Sequence, residues 1–354
     1  MPKLDDLLQR LRTEGGSDLH LAAGLAPRMR CHGELRVVED WPTLTDDELR
    51  GLLREIATER HWAIYTESSD ADFAYGLAGV ARFRANYFVQ ENGAAAVFRI
   101  IPEKIVPLED LALPAAVETL AQLEHGLVLV TGPTGSGKST TLAAILDRMN
   151  RSHAKHVVTI EDPIEFVHAN KQCVFSHREV GCHTEGFSPA LRAAIRQDAD
   201  VILVGEMRDQ ETISLALTAA EMGLLVFGTL HTNNACKTID RIIDVFSAEE
   251  RAQVRLSLSE SLVAVVSQLL LPTADGKGRI AVNEILLRTP GLPNVIREGN
   301  TPMLHSIIQS GRSQGMQAMD DALFALAQAG RILPQDAYMK ATEKARFEPL
   351  VPKD

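Results

Sequence analysis

The residues Gly132–Ser139 read GPTGSGKS, a glycine-rich segment that ends in a lysine and a hydroxyl. The apolar run LVLV precedes this segment and the helix-like run TTLAAILDRM follows it, which is the context that the pattern GxxxxGK[ST] requires. The backbone N–H groups of such a loop surround a polyphosphate, which the positive end of the following helix also attracts. We expect Lys138 to reach the terminal phosphates and Ser139 to offer its hydroxyl to Mg²⁺. The predicted nucleotide-binding residues of this segment are Gly132, Pro133, Thr134, Gly135, Ser136, Gly137, Lys138, Ser139 and Thr140.

Carboxylates follow two further apolar runs. The run Val201–Val204 ends at Gly205 and Glu206, where many P-loop ATPases carry an Asp-Glu pair, so Glu206 is predicted to be the general base. The run VVTI ends at Glu161 and Asp162, which are candidates for positioning water and Mg²⁺. Because the carboxyl ends of parallel strands meet at one edge of a sheet, we expect these side chains to face the phosphate site. Helix capping or solvation is the alternative interpretation of these carboxylates, and for Asp162 it stays open.

A histidine follows a third apolar run, LLVFGTL. This residue, His231, is predicted to lie at the same edge of the sheet as the carboxylates. A single histidine is more often structural than functional, but its position after this strand favours a role in sensing a bound phosphate.

The elements that carry these residues have an α/β pattern. From Gly126 onward, apolar strand-like runs alternate with helical stretches, as in a parallel sheet flanked by helices. The helical stretches are predicted to follow Lys138, Phe187, Asp209 and Asn234. The residues from about Arg251 are predicted to be mainly helical, with breaks at 271–278 and 289–291, and the apolar residues 256–271 to be buried core.

The first hundred residues predict a small α+β domain. Leucines at helical spacing from Leu4 to Leu11 predict one amphipathic helix, and Thr45 with Glu48 three residues later predicts a capping box on a second. Antiparallel strands are predicted at Leu35–Val38, Asp72–Leu77, Ala81–Val89 and Ala96–Ile101. Alternation along the third of these strands places Phe83 and Val89 on one face and Arg84 on the other.

Prolines separate this domain from the α/β region. Pro102, Pro107 and Pro114 fall within one short segment, where they prevent regular structure from continuing. We therefore predict a first domain at residues 1–101, a linker at 102–114, and a nucleotide-binding domain with a helical C-terminal part at 115–354.

A short segment of the second domain contains soft and imidazole ligands, namely Cys173, His177, Cys182 and His183. Their spacing includes neither a CxxC nor an HxxxH pair, so we predict a solvated loop there rather than a metal site.

The composition limits the function classes. Among 354 residues, 36 Lys and Arg against 47 Asp and Glu give a net charge of −11, which argues against broad affinity for nucleic acid. The longest uncharged stretches are shorter than the ~20 apolar residues that span a bilayer, so no transmembrane segment is predicted. The acidic, amphipathic first residues are unlike a secretory signal, and four scattered cysteines suit a reducing compartment. We therefore expect a cytoplasmic protein.

Taken together, these motifs resemble those of the secretion ATPases of type II and type IV pilus systems. The corresponding segments are GPTGSGKST, TIEDPIEF, DVILVGEMRD and GTLHTNNA, and further likeness lies in SDLHLAAGLAPRMR, ARFRANYFVQ, AVFRIIP and KTIDRIIDVF. Within that family the chain is most similar to the pilus retraction motors, which are short and lack the four-cysteine zinc module of the extension ATPases. One departure is that Pro293 replaces an arginine of the family's AIRNLIRE motif.

The resemblance implies a P-loop, RecA-like parallel-sheet ATPase domain preceded by a PAS-like domain. It implies ATP and Mg²⁺ as cofactors and a homo-hexameric ring. Matching the motifs residue by residue implies that three arginines complete the nucleotide site, namely Arg84, Arg99 and Arg241. The implied partners are an inner-membrane pilus platform protein and a paralogous retraction ATPase. The first of these partners implies a location at the inner face of the cytoplasmic membrane.

Two hypotheses therefore lead. In the first, the chain is an ATP-driven motor that powers pilus retraction, with twitching motility as its outcome. In the second, it is a nucleotide-binding accessory or regulatory ring subunit that partners another pilus or type II secretion ATPase. A kinase or GTPase that uses the same loop is a weaker hypothesis, because the sequence has no [NT]KxD guanine-reading motif.

Overall fold

The computed structural model describes residues 3–31, 33–101 and 104–351. The chain divides into two compact units, of which the first comprises Met1–Lys104 with Pro163–Val167 and the second comprises Ile105–Asp162 with His168–Asp354. The segment Pro163–Val167, which directly follows Asp162, thus groups with the first unit, although nothing in the sequence indicated this. The predicted linker, residues 102–114, begins with Pro102, which lies outside the described residues. That this segment is a linker stays a prediction.

The described part of the first unit is an antiparallel sheet with three helices. Its elements are α1 (Lys3–Thr13), β1 (Asp18–Ala22), β2 (Arg28–Cys31), β3 (Glu34–Val37), α2 (Asp46–Ile56), α3 (Glu59–Ser68), β4 (Asp70–Leu77), β5 (Ala81–Gln90) and β6 (Gly93–Ile101). The strands are ordered β3-β2-β1-β6-β5-β4. The α+β prediction for this region is confirmed, including the helix over the first leucines.

Local sequence signals explain several of these elements. The capping box of α2 is present, because the Thr45 hydroxyl accepts from the Glu48 N–H while the Glu48 carboxylate accepts from the Thr45 N–H. Along β5 the predicted alternation is also present, with Phe83 buried and Arg84 exposed. Val89 is the exception, since it lies near the end of the strand and is 42% exposed.

The second unit begins with short helical turns and continues as an α/β fold. Its described helices and strands are α4 (Ala115–Glu118), β7 (Gly126–Thr131), α5 (Lys138–Ser152), β8 (His156–Glu161), β9 (Val174–Glu179), α6 (Phe187–Ala194), β10 (Val201–Val204), α7 (Gln210–Glu221), β11 (Leu225–Leu230), α8 (Ala235–Asp244), α9 (Arg251–Ser261), β12 (Leu262–Pro272), β13 (Arg279–Leu287), α10 (Leu292–Glu298), α11 (Leu304–Ser310), α12 (Met319–Gln328), α13 (Pro334–Lys340) and α14 (Lys344–Phe347).

The strands of this unit form one sheet in the order β13-β12-β7-β11-β10-β8-β9. All neighbouring pairs are parallel except β12 with β13. The central strands are buried on both faces: along β7, Leu127 and Leu129 belong to one apolar cluster, whereas Val128 and Val130 belong to another. Burial on both faces explains the continuous apolar runs of the sequence and confirms the α/β prediction.

The predicted helix starts are confirmed as well. α5 and α6 begin at Lys138 and Phe187, and the side chains of Asp209 and Asn234 cap the N-termini of α7 and α8.

Two secondary-structure predictions are wrong. Residues 262–287, expected to be mainly helical, form the antiparallel pair β12 and β13, and β12 extends the sheet beside β7. Most apolar residues of 256–271 contribute to the core as predicted, but Leu256 is 39% exposed. The strand was not predicted because a fully buried strand lacks the alternation that distinguishes it from a buried helix. The solvated loop expected near Cys173 contains β9, which pairs with β8. Cys173 is itself buried.

Pro293, which departs from the family motif, lies in the first turn of α10. A proline there removes no intrahelical hydrogen bond, so the helix is retained. Over the described ranges, no helix is long and apolar enough to cross a membrane, and no group of His, Cys, Asp or Glu has an arrangement that could hold a metal ion.

Candidate functional site

The glycine-rich segment forms a loop between β7 and α5. Gly132, Gly135 and Gly137 have φ values of +145°, +78° and +86°, which other residues rarely adopt, so the loop conformation itself requires glycine at these positions. Gly137 is the N-cap residue of α5 and provides no side-chain cap. The first N–H groups of this helix are therefore available to an anion, in the direction that the helix dipole favours.

Other polar groups of the loop also suit a polyphosphate. Lys138 Nζ donates to the carbonyl oxygens of Gly132 and Pro133 at 2.9 and 3.2 Å, so it folds back over the loop. Burial lowers the pKa of Lys138, while the charge of Glu206 opposes this effect. The Ser136 hydroxyl is buried and has no hydrogen-bond partner among the residues that the structure describes. A half-buried ammonium and an unsatisfied hydroxyl beside free N–H groups fit a nucleotide phosphate chain.

The ends of consecutive strands bring the predicted residues to one edge of the sheet. The parallel strands β7, β11, β10 and β8 are neighbours in this order. At their carboxyl ends lie, respectively, the phosphate loop, His231, Glu206 and the pair Glu161 and Asp162. This is the edge at which open α/β sheets bind their ligands.

Glu206 and His231 are in direct contact, at 2.9 Å between Oε1 and Nε2. Arg208, two residues further along the chain, also donates to Glu206 Oε1. Burial raises the pKa of Glu206, but the hydrogen bond from Arg208 and the interaction with His231 outweigh it and hold this pKa below its ordinary value. Glu206 is therefore an ionised, hydrogen-bonded carboxylate near Lys138.

Close packing of two strand ends explains why Gly205 precedes Glu206. The Gly205 N–H donates to the Ile160 carbonyl at 2.8 Å. A Cβ at this position would lie 3.1 Å from that same oxygen and 3.2 Å from Glu161 Cα. Because both atoms belong to the backbone of β8, the aspartate found here in many P-loop ATPases would require that backbone to shift by a few tenths of an ångström.

The two carboxylates after β8 have different environments. Glu161 is buried, at 7% exposure, whereas Asp162 is exposed. Arg208 interacts electrostatically with Asp162 as well as with Glu206, so Asp162 belongs to the same charged group. Catalytic roles for Glu161 and Asp162 stay predictions.

Arg84 and Arg99 are direct neighbours across β5 and β6. Each has a carboxylate partner, since Arg84 Nε lies 3.7 Å from Asp72 and Arg99 Nε lies 2.7 Å from Asp18. Burial raises the pKa of Asp18, but hydrogen bonds, one of them from Arg99, outweigh it and lower this pKa. Both guanidinium groups are exposed as well as paired, and their role in nucleotide binding stays a prediction.

Arg241 lies on the exposed side of α8, the helix that begins just after His231. Its role in nucleotide binding stays a prediction.

Two further residues at this edge of the sheet were not predicted from the sequence. Arg208 lies in the segment DVILVGEMRD, and its contact with Glu206 is a local one between residues two positions apart. Gln268 lies within the apolar run of β12, and its buried side chain donates to the Ser136 carbonyl in the phosphate loop. The available sequence signal for Gln268 was the polar pair Ser267 and Gln268 inside an otherwise apolar run.

The fold and the site define an α/β P-loop nucleoside triphosphatase. The sequence profile of the family described as "Type II/IV secretion system protein" matches residues 69–335. The chain is 50% identical over 344 residues to "Type IV pilus retractation ATPase PilT" of Pseudomonas aeruginosa, an alignment that covers 97% of this chain and 99% of that protein. It is 49% identical over 315 residues to "Twitching motility protein" of Neisseria gonorrhoeae, covering 89% of this chain and 84% of that protein.

A solved structure agrees with these similarities. The crystal structure of the pilus retraction motor PilT with bound ADP superposes with a TM-score of 0.90 at 42% identity, covering 97% of this chain and 98% of that chain. The chain therefore belongs to the type II/IV secretion system protein family, and within it is an ATPase.

Proposed function

We propose that the chain is an ATP-hydrolysing motor that powers retraction of a type IV pilus. The main support is the contact between Glu206 and His231 beside a complete phosphate loop, because a carboxylate kept ionised there suits activation of water for hydrolysis. The pilus as the object of the work is supported by similarity over nearly the whole length of PilT.

Each residue of the site has a distinct task in this proposal. The N–H groups of the loop and of α5 hold the phosphates, and Lys138 leaves the carbonyl oxygens of the loop to bind the terminal phosphates. Glu206 accepts a proton from the attacking water, and His231 orients Glu206 and senses the terminal phosphate. Ser139, exposed in the first turn of α5, would hold Mg²⁺, which would neutralise phosphate charge, and Asp162 and Glu161 would position water and the ion.

The motor works as a ring of six copies in this proposal. Arg84, Arg99 and Arg241 complete nucleotide sites within the ring, where guanidinium groups stabilise the charge of the transferred phosphoryl group. Hydrolysis drives domain movements that act on an inner-membrane platform protein, so the ring works at the cytoplasmic face of that membrane. A paralogous ATPase is the second partner of the ring in this proposal.

Two measurements test the proposed function. The purified chain is expected to release phosphate from ATP in the presence of Mg²⁺, and a strain that lacks the chain is expected to carry surplus pili that do not retract. Nucleotide binding without turnover, together with retraction that persists in the deletion strain, would instead favour the accessory ring subunit.

A further inference from the structure

Gln268 lies directly beside the start of the phosphate loop. On the neighbouring strand pair, Ser267 of β12 is in register with Thr131, the last residue of β7. Gln268 is therefore the residue next to Gly132, the first glycine of the loop. Its side chain is buried, at 2% exposure.

The amide of Gln268 connects three separate parts of the fold. Its Nε2 donates to the Ser136 carbonyl at 2.6 Å, within the loop. Its Oε1 accepts from the Thr141 hydroxyl of α5 at 2.9 Å and from Asn283 Nδ2 of β13 at 3.2 Å. One side chain thus fixes the loop relative to the helix that follows it and to the sheet beside it.

The packing around Gln268 also constrains two loop glycines. A Cβ at Gly132 would lie 2.2 Å from the carbonyl oxygen of Gln268, and a Cβ at Gly137 would lie 2.9 Å from its Nε2. The first distance ends on a backbone atom, so no side chain fits at Gly132, whereas a side chain at Gly137 would require the Gln268 amide to shift. β12 and the loop are therefore fitted closely together. Displacement of the loop would remove the bond from the buried Nε2 of Gln268 to the Ser136 carbonyl, which is costly.

The hydrogen bonds of Gln268 continue through Asn283 toward the C-terminal helices. The Asn283 carbonyl accepts from Gln317 Nε2 at 2.8 Å, and the Gln317 N–H bonds to Ile285 just before α12. The loop is therefore supported from the β12–β13 pair and, through it, from the segment that precedes α12.

We propose that Gln268 is a positioning residue of the phosphate loop. Its amide holds Ser136 and Thr141 so that the N–H groups of the loop converge on a nucleoside di- or triphosphate before that ligand binds. This inference rests on the proposed nucleotide site, but it concerns affinity and not hydrolysis. Preorganisation of this kind acts on ground state and transition state alike, so it is expected to change Kd and KM more than kcat.

The test is the variant Gln268→Met in the full-length chain, which keeps the side-chain volume and removes all three amide hydrogen bonds. We expect the Kd for ADP, measured by titration calorimetry in the presence of Mg²⁺, to rise about tenfold, and the KM for ATP to rise with it. The kcat is expected to stay within about twofold of the parent value. The smaller change Thr141→Val, which removes one of the three bonds, is expected to raise the Kd about threefold.

Ser267→Ala is the matched control. It removes a buried hydrogen bond of 2.8 Å between Ser267 and Thr131 in the same strand pair, one residue away, without touching Ser136 or Thr141. Its melting temperature is expected to fall, while its Kd for ADP stays that of the parent.

The outcomes separate this inference from the proposed function. A parent chain that does not bind ADP contradicts the nucleotide site itself. A parent that binds, together with unchanged affinity in Gln268→Met, overturns the positioning role. Equal loss of affinity in Ser267→Ala overturns it too, because general destabilisation would then explain the effect. If Gln268→Met does not fold, the Kd values for ADP of Thr141→Val and Ser267→Ala are compared instead. A Kd that is unchanged in Thr141→Val, or raised equally in Ser267→Ala, overturns the positioning role.

Discussion

The Oε1 atom of Glu206 lies 2.9 Å from Nε2 of His231, and this contact joins the ends of the neighbouring strands β10 and β11. The two residues are 25 positions apart in sequence, and parallel pairing brings them to the same edge. The position of Glu206 can therefore depend on what His231 contacts. In the proposed function, that is the terminal phosphate of ATP.

Glu206→Gln is expected to bind nucleotide like the parent and to lose hydrolysis by about 100-fold or more, because it keeps the shape of the side chain and removes the base. Phosphate release and ADP titration measure the two effects separately. Glu221→Gln, an exposed glutamate at the end of α7, is the control and is expected to match the parent. Turnover at the parental rate in Glu206→Gln would place the base elsewhere.

Arg208→Ala is expected to narrow the pH range of activity on the acid side. Arg208 helps to hold the pKa of Glu206 below its ordinary value, so its removal raises that pKa and protonates the base at a higher pH. The acid limb of the kcat profile should move upward in pH, with little change at pH 8, where Glu206 is ionised in both proteins. Arg192→Ala removes a comparable exposed ion pair, with Glu211, and should leave the profile unchanged. An unmoved acid limb in Arg208→Ala would contradict the role of this contact.

Gly205→Ala is expected to lower the free energy of unfolding by about 1–3 kcal/mol, because its Cβ would crowd the backbone of β8 at Ile160 and Glu161. Hydrolysis should fall as well, since Glu206 follows directly. Gly223→Ala is the comparison without crowding, because a Cβ at this position meets no atom within 4 Å. Only the positive φ of +96° disfavours alanine there. Chemical denaturation measures both, and unchanged stability and activity in Gly205→Ala would refute the packing argument.

Mixing two inactive chains tests whether the arginines act between subunits. If Arg84 completes a site on another copy, rings that combine Arg84→Ala with Glu206→Gln contain some sites with both groups intact and regain part of the ATPase activity. Arg36→Ala, an exposed arginine paired with Glu34, is the control and should be active alone. Mixed rings with proven subunit exchange and no regained activity would indicate that Arg84 acts within its own chain or only structurally.

The sequence alone determined the elements whose signals are local. The glycines and the lysine of the phosphate loop lie between a strand and a helix as predicted, because their conformation depends on neighbours in the chain. The same holds for the capping box at Thr45 and for the helix caps Asp209 and Asn234. In each case the hydrogen bonds join residues a few positions apart, so the local sequence is enough to predict the element.

Tertiary structure decided what depends on distant residues. Only the tertiary structure shows that β12 is a strand beside β7 and that Gln268 contacts the phosphate loop. The close approach of the β8 backbone to Gly205 is likewise visible only there. The tertiary structure also pairs Arg99 of β6 with Asp18 of β1. A buried apolar run has no periodicity to tell strand from helix, and a polar side chain does not reveal its partner by type. These choices are made by packing between segments far apart in sequence, which outweighs local preference.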